Sequence, residues 1–416
     1  MRMLVTSASV LAALSGGAIA GGLDRTGQPI GALFEKGGET GNYFELSFAH
    51  TSPDLSGTGL GISQVGLPGG TGYDDVGGAF WSVGTAVKVR FNDSLSGALI
   101  FDQPYGADVE YSGDPGTTEL GGTSAFAETN ALTALLRYNF NARWSAYGGL
   151  RIQTAEGDID LSGLAYGPTE EMIPAIGAIA PPAAGESIGT ANGYDVELER
   201  DTALGYVLGA AYEIPDIALR VALTYSSSIT HEMKTRESGP DVLVNHPVYG
   251  LIAVNPYDGE STTDVKTPQS VNLDFQSGVA EDTLVFGSIR WVDWSEFRID
   301  PTNFVKATGS GLVELEDTTT YQIGVGRQFT DQWAGSLAVS YEAETDKLVS
   351  PLAPSNGLWA LAVGASYDMG DVKISGGARY TWLGDAQPET GTPDVARADF
   401  TENTALSLGI RVGYDF

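Results

Sequence analysis

The chain has 416 residues, no cysteine, 55 glycines, 18 tyrosines and a formal net charge of −31. The lack of cysteine excludes disulfide-stapled domains, thiol catalysis and cysteine-based metal sites. The acidic balance argues against nucleic acid, whose phosphates need basic patches, while 42% hydrophobic residues in regular alternation argue against disorder.

Residues 1–20 read as a secretory signal peptide, with Arg2 at its start, an apolar stretch from Leu4 to Leu14 and Ala18-Ile19-Ala20 before the cleavage point. No later run reaches the roughly 18 apolar residues of a spanning helix, so a membrane location has to rest on strands. Residues 21–41 form a short N-terminal segment, and 42–416 read as one domain without a linker or a shift in composition.

Period-two alternation predicts strands at 42–51, 78–91, 95–111, 125–140, 144–153, 194–214, 217–229, 270–279, 284–297, 312–329, 333–342, 358–369, 372–382 and 401–416. After the first, they pair through two-residue turns: Asn92-Asp93, Asn141-Ala142, Pro215-Asp216, Ala280-Glu281, Thr330-Asp331 and Gly370-Asp371. The opposite ends join through long segments: 52–77, 112–124, 155–193, 231–267, 298–311, 343–357 and 383–400. An even strand number, short turns on one side and long loops on the other define an all-β fold, a transmembrane antiparallel β-barrel of about fourteen strands in the bacterial outer membrane. Phe91, Tyr138, Phe140, Trp144, Tyr212, Phe329, Trp333, Tyr367, Tyr414 and Phe416 fall beside the short turns as an aromatic girdle. Acids such as Asp74-Asp75, Glu170-Glu171, Asp264 and Asp394 sit in the long loops, either simply solvated or contacting lipopolysaccharide through cations.

With the apolar face toward lipid, the other face lines the bore and carries most strand cations. Lys88, Arg90, Arg137, Arg220, Lys373 and Arg411 lie near the short turns as a basic ring. Arg151, Arg290 and Arg379 lie deeper, where an arginine can hold a carboxylate bidentately. Glu110, Glu213, Asp274 and Glu342 fall on the same face and supply pairing partners.

Four segments carry a family resemblance: Phe101-Asp-Gln-Pro-Tyr-Gly106, Tyr225-Ser-Ser-Ser-Ile229 followed by His231, Thr267-Pro268, and Trp291-Val-Asp-Trp-Ser-Glu-Phe297. In order and strand placement they resemble the FadL/TodX family of outer-membrane transporters for long-chain fatty acids and other hydrophobic molecules, over residues 42–416. The resemblance implies a fourteen-stranded barrel plugged by an N-terminal hatch. It also implies capture among the outer loops, a lumen site, and exit through a gap in the wall at the third-strand kink. Pro104 lacks a ladder donor and Gly106 permits a bend, so Gln103, Pro104, Tyr105 and Gly106 are the candidate lateral exit. The family's Asn-Pro-Ala hatch motif is absent, so the hatch is shorter. Its Leu23, Ile30, Leu33 and Phe34 can pack in the bore, and Asp24, Arg25, Glu35 and Lys36 can pair with the basic ring.

Two outer loops are apolar, 172–180 and 242–254. Their Ile173, Ile176, Ile179, Leu243, Val248, Leu251 and Ile252 are candidates for a capture groove. The function expected is passive uptake of fatty acids or other hydrophobic molecules by a monomer in contact with membrane lipid and lipopolysaccharide. The alternative is a general diffusion porin. No enzyme activity, cofactor, metal or nucleic-acid partner is expected; His50, His231 and His246 fall at outer strand ends or in loops, without a catalytic signature.

Overall fold

A computed structural model describes residues 23–26, 30–346 and 348–416. The expected signal peptide lies outside the described residues; among the described residues no helix is long and apolar enough to cross a membrane.

Alternation closes into a wall of fourteen antiparallel staves. They are β1 (Tyr43–Asp54), β2 (Phe80–Arg90), β3 (Leu95–Asp102 continuing as Gly106–Glu110), β4 (Ser124–Asn139), β5 (Trp144–Leu161) and β6 (Tyr194–Ile214). Next come β7 (Leu219–Ser226 continuing as Ile229–Ser238), β8 (Gly259–Thr267 continuing as Ser270–Ala280), β9 (Thr283–Val292) and β10 (Thr318–Gln328). β11 (Trp333–Glu342), β12 (Leu358–Asp368), β13 (Val372–Leu383) and β14 (Thr404–Asp415) complete the set. β14 returns to β1, from Tyr43 opposite Asp415 to Asp54 opposite Thr404, so the sheet closes. On β14, Leu406, Leu408, Ile410, Val412 and Tyr414 face outward, while Ala405, Ser407 and Arg411 are buried inside.

The short turns mostly hold three or four residues rather than two. The extra residues are held by side chains: Asn92 Oδ1 accepts from the Ser94 and Leu95 amides, and Asn141 Oδ1 from those of Arg143 and Trp144. The inner aromatic girdle is present as contacting pairs, Tyr138 with Phe140 at 5.3 Å, Trp144 with Tyr212 at 4.7 Å and Trp333 with Tyr367 at 4.8 Å. A second girdle, not read from the sequence, pairs His50 with Trp81, Tyr206 with Tyr225, Tyr341 with Trp359 and Tyr380 with Trp382. From Trp333 to Tyr341 the strand climbs about 27 Å at ~3.4 Å per residue, or about 20 Å across the bilayer at ~40° tilt.

Several staves rise well beyond this band. β5 runs to Leu161, and the expected loop 231–267 is largely strand. Period two persists there, with Ile229, His231, Met233, Thr235 and Glu237 buried and Thr230, Glu232, Lys234 and Arg236 exposed. Above the lipid, charges replace the apolar outer face, which hides the strand from a search for hydrophobic alternation.

Breaks in β3, β7 and β8 reverse the facing of the residues beyond them. On β3 the even residues Ser96 to Asp102 point inward, then the odd Ala107 and Val109 do. Glu110 is therefore exposed on the outside rather than lining the bore. β9 ends at Val292, and Trp294–Glu296 folds back as a 3-10 turn that buries Trp294.

On the outside of the extension, Asp195 stands opposite Asp160, and Glu197 opposite Asp158. Like charges facing each other across a ladder are unfavourable. Desolvation, then the neighbouring carboxylates, hold Asp158 and Asp195 above the usual carboxylate range. A raised acid keeps its proton longer in the fold than in the unfolded chain. Its contribution is thus full below the ordinary value near ~3.9 and is lost as pH rises through the raised one. Replacing both by Asn should remove that loss, so the variant should gain thermal stability over wild type at pH 7 but not near pH 4. The midpoint of heat-modifiable gel mobility at the two pH values is the measurement, and an equal gain at both would contradict this origin.

Candidate functional site

The bore is closed at its inner end by the N-terminal segment. Gly31–Phe34 forms a 3-10 turn inside the barrel, with Ala32 and Leu33 fully buried. The Phe34 ring lies between the guanidinium groups of Arg137 and Arg220, at 4.5 and 4.6 Å, and meets Tyr147 edge-on at 5.6 Å. Lys88 Nζ donates to the Glu35 carbonyl. Arg137 pairs with Glu213, and Arg411 pairs with Glu45 at 3.3 Å. Gly37, Gly38 and Gly41 all take positive φ where the chain reverses into β1, a conformation that L side chains resist.

Residues Leu23 to Thr26 reach the middle of the bore. Asp24 was expected to pair with the basic ring; instead it pairs with the deeper Arg290 at 2.7 Å, both side chains almost wholly buried. Arg290 also donates to Asn272 Oδ1 at 2.7 Å and Ser270 Oγ at 3.3 Å. Thr26 Oγ1 donates to Asp102 at 3.0 Å.

The same segment meets the third-strand kink. The Arg25 amide donates to Pro104 O at 2.8 Å, and the Gly106 amide to Leu23 O at 3.0 Å. Around the kink, β2 and β3 are unpaired: ladder pairs run from Arg90–Ser96 only to Thr85–Phe101, and resume in the same register at Gly77–Val109. Further out, Gly78 N–H donates to Asp108 O at 2.9 Å. Between these points the wall parts, and Leu23 to Arg25 fill the parting. Arg25 stacks over Phe80 at 4.1 Å.

Two cavities flank this plug. The larger, ≈ 80 Å³, is almost entirely apolar; Leu23, Tyr105 and Ala107 bound it on one side, Leu198, Met233, Val265 and Trp294 on the others. The smaller, ≈ 40 Å³, lies at the parting against Arg25, Gly78, Phe80 and Asp108. Leu23, Ala107, Leu352 and Ala353 line both, so these residues are the partition between them. The larger has room for about six water-sized groups, enough for a compact hydrophobe or one end of a chain.

The outer end is closed by packed aromatic rings. Tyr111 contacts both Tyr73 and Phe400, and Tyr194, Tyr257 and Phe304 contact one another. Their hydroxyls are satisfied by Glu119, Pro351 O, Glu237 and Thr190 O. Such a bore lacks the open passage of a diffusion porin.

Arg151, Arg290 and Arg379 all project into the bore and are buried, as their strand positions predict. Their surroundings differ. Arg151 Nε donates to Thr133 at 2.9 Å. Arg290 keeps its Nη2 without a hydrogen-bond partner, and Arg379 keeps both Nε and Nη2 so. Gln103 caps the parted edge of β2, its Oε1 accepting from the Val83 amide at 2.9 Å. Tyr105 forms one wall of the larger cavity.

The apolar loops do meet. Residues Ile173–Ile179 form a helix against the hairpin Val242–His246 and Gly250–Val254, where Leu243 presses on Gly177. Ile173 is buried there, and Leu243 and Ile252 are half-buried. Ile176, Ile179, Val248 and Leu251 are exposed. None of the seven lines either cavity.

Sequence reasoning missed Trp294, Leu352, Ala353 and the Asp24 contact. It also set His231 aside at a strand end. In the fold His231 is fully buried within β7, 3.2 Å from Asp201 and 3.1 Å from Gln153 Oε1. Trp294 and His231 lay within segments already marked by the resemblance; nothing local marks Leu352 or Asp24.

A closed fourteen-stave barrel, plugged from within and holding an apolar cavity, has the architecture of an outer-membrane channel for hydrophobic compounds. The model of the outer membrane protein transport protein family (OMPP1/FadL/TodX) matches residues 48–416, and the chain belongs to that family. The fold is similar to that of a Pseudomonas aeruginosa FadL homologue, at 17% identity and TM-score 0.68, covering 97% of this chain and 98% of that one. It is also similar to the Ralstonia pickettii toluene transporter TbuX, at 14% identity and TM-score 0.58, covering 92% and 91%. The Pseudomonas putida toluene transporter TodX matches at 13% identity and TM-score 0.59, covering 90% of each chain. No curated protein matches the sequence significantly. The family consists of transport channels of the bacterial outer membrane, and this protein is an outer-membrane transporter of hydrophobic compounds.

Replacing Asp24 by Asn leaves Arg290 buried without its charge partner, a change that costs about 3–5 kcal/mol. The segment should detach, and hydrogen exchange at the Gly106 amide, which donates to Leu23 O, should speed at least tenfold. An unchanged exchange rate would show that the pair does not hold the plug.

Proposed function

We propose that the protein takes up long-chain fatty acids or similar amphiphiles as a monomer, passively, and releases them sideways between β2 and β3. The observation that carries this reading is the parting itself. The N-terminal segment supplies backbone partners that the wall lacks, and cavities lie on either side of Leu23. Residues 21–41 act as the hatch. The inner end is filled by Ile30 to Phe34, so a path into the periplasm would need the whole plug to leave, whereas the lateral path needs only Leu23 to Arg25 to move. A solute that leaves into lipid also avoids exposing its chain to water, at about 0.8 kcal/mol per CH₂. Capture falls to the exposed Ile176, Ile179, Val248 and Leu251 on the outer lid, backed by Ile173, Leu243 and Ile252. The acidic outer surface faces lipopolysaccharide.

Fatty acids are favoured over plain hydrocarbons by the unpartnered donors on Arg379 and Arg290. A charge-assisted pair with a carboxylate is worth about 1.5–3 kcal/mol, roughly ten- to a hundredfold in affinity. Arg379→Met should weaken binding of oleate by that factor and leave binding of the matching alkene unchanged. Equal loss for both ligands, or none, would make Arg379 structural.

Ala107 lines both cavities, so a large side chain there fills the way between them. Ala107→Trp should lower oleate uptake by whole cells at least tenfold at unchanged surface level and heat-modifiability. Normal uptake by a correctly folded variant would move the exit elsewhere.

A further inference from the structure

The wall has a second interruption, between β6 and β7. Ladder pairs join Val207–Ile214 to Leu219–Ser226, and resume only at Asp195–Leu198 with Thr235–Ser238. Among the described residues no ladder pair joins 199–206 to 227–234. The cause is a mismatch of phase. β6 bulges at Glu199 and Arg200, two consecutive exposed residues, and its pairing with β5 shifts there. β7 changes facing lower down, at its Ser227-Ser228 break. Between the two irregularities both strands turn odd-numbered residues inward, but the flanking register sets odd against even. Ala203 would face Thr230, one turned in and the other out. A regular ladder cannot form across such a stretch. The β7–β8 pair shows the contrast. Both break at the same level, so the ladder resumes in register, Ser226 with Ser270 and then Ile229 with Thr267.

Side chains close what the backbone leaves open. At the lower edge the Ser227 amide still donates to Tyr206 O at 3.0 Å, and Ser227 Oγ accepts from the Tyr206 amide at 3.0 Å. The Ile229 side chain and Ser227 Oγ cover Gly205, which has no side chain of its own. His231 reaches Asp201 at 3.2 Å and Gln153 at 3.1 Å, and Thr267 Oγ1 donates to the same Gln153 oxygen at 2.8 Å. Gln153 Nε2 is left without a partner. Leu198 and Met233, one on each side of the gap, line the apolar cavity, with Val265, Thr267 and Pro268 beside them.

We infer that this gap is a window through which a hydrophobic solute enters the cavity from outside the membrane, with the Asp201–His231 contact as its latch. The roof above the cavity is packed aromatic rings with satisfied hydroxyls, so a path from the loop tips would have to dismantle it. The window needs only side chains to turn, because its backbone edges are pinned above and below. Its lower end lies at the outer girdle, where Tyr206 meets Tyr225. Its upper flanks expose Arg200, Glu232 and Lys234. Backbone groups that lack ladder partners therefore meet water and headgroups, not hydrocarbon, which would not tolerate them. Entry above the lipid and release at the β2–β3 parting are then two separate openings of one cavity. The inference rests on the uptake reading given above.

The chain has no cysteine, so an introduced pair is unambiguous. In Gly205→Cys with Ser227→Cys, the two side chains meet across the lower window, where a Cβ on residue 205 would lie 2.9 Å from Ser227 Oγ. Uptake of radiolabelled oleate and toluene is measured in whole cells after oxidation, and again after reduction of the same sample. Oxidation should lower uptake at least tenfold, and reduction should restore it. Equal uptake in both states overturns the window while leaving the transport reading in place. Failure of wild type to take up either probe overturns both. Should mass analysis show no bond, Asp201→Ala is the second variant. Loss of the latch should speed uptake at least threefold, and an unchanged rate overturns the inference.

Discussion

A β-barrel survives in lipid because every backbone donor and acceptor in the wall has a partner on a neighbouring strand. Each place where the ladder fails must be repaired by something else, and here the repairs are where the chemistry is. At the β2–β3 parting the repair is a piece of the chain's own N-terminus, hydrogen-bonded to Pro104 O and Gly106 N. At the β6–β7 gap it is a set of side chains around His231. At the β7–β8 breaks none is needed, because both strands step together. A repair made by side chains or by another segment can be withdrawn without breaking the ladder on either side of it.

The distribution of charge has its origin in the same wall. The chain is strongly acidic, yet most strand cations within the membrane band face the bore, because a basic group at the lipid midplane costs about 2–4 kcal/mol. Inside, those cations do different work at different depths. Near the inner mouth Arg137 and Arg220 sandwich Phe34 and hold an apolar plug in a basic ring. One layer further out Arg290 fixes Asp24. Above that layer the lining turns apolar, and of the polar groups at the cavity's edge the Trp294 indole N–H and Gln153 Nε2 are left without partners.

The fold was legible in the sequence because period two, aromatic strand ends and turn residues agree over most of the chain. β6 and β11 were read with both ends correct, at Tyr194, Ile214, Trp333 and Glu342. Above the membrane the signal faded, since β5, β7 and β8 continue with charged outer faces. Alternation also carries an assumption of constant facing, and the break in β3 defeats it; that is why Glu110 was placed on the wrong side. The deep arginines were found because strand parity below the breaks is undisturbed. What each arginine touches was not legible, because Asp24 lies 266 positions from Arg290 in sequence. Leu352 and Ala353 reach the cavity from an outer loop for the same reason.

The plug also has a consequence for how the chain reaches its final form. It is joined to β1 by only a few residues around Gly37 to Gly41, and β1 is one side of the seam at which the barrel closes. Its partners Pro104, Arg137, Arg220 and Arg290 all belong to strands that come later in the chain. The plug's contacts with β3, β4, β7 and β9 can therefore form only once those strands are in place. They tie the strand at the seam to staves across the bore, so seating of the plug and closure of the wall support each other.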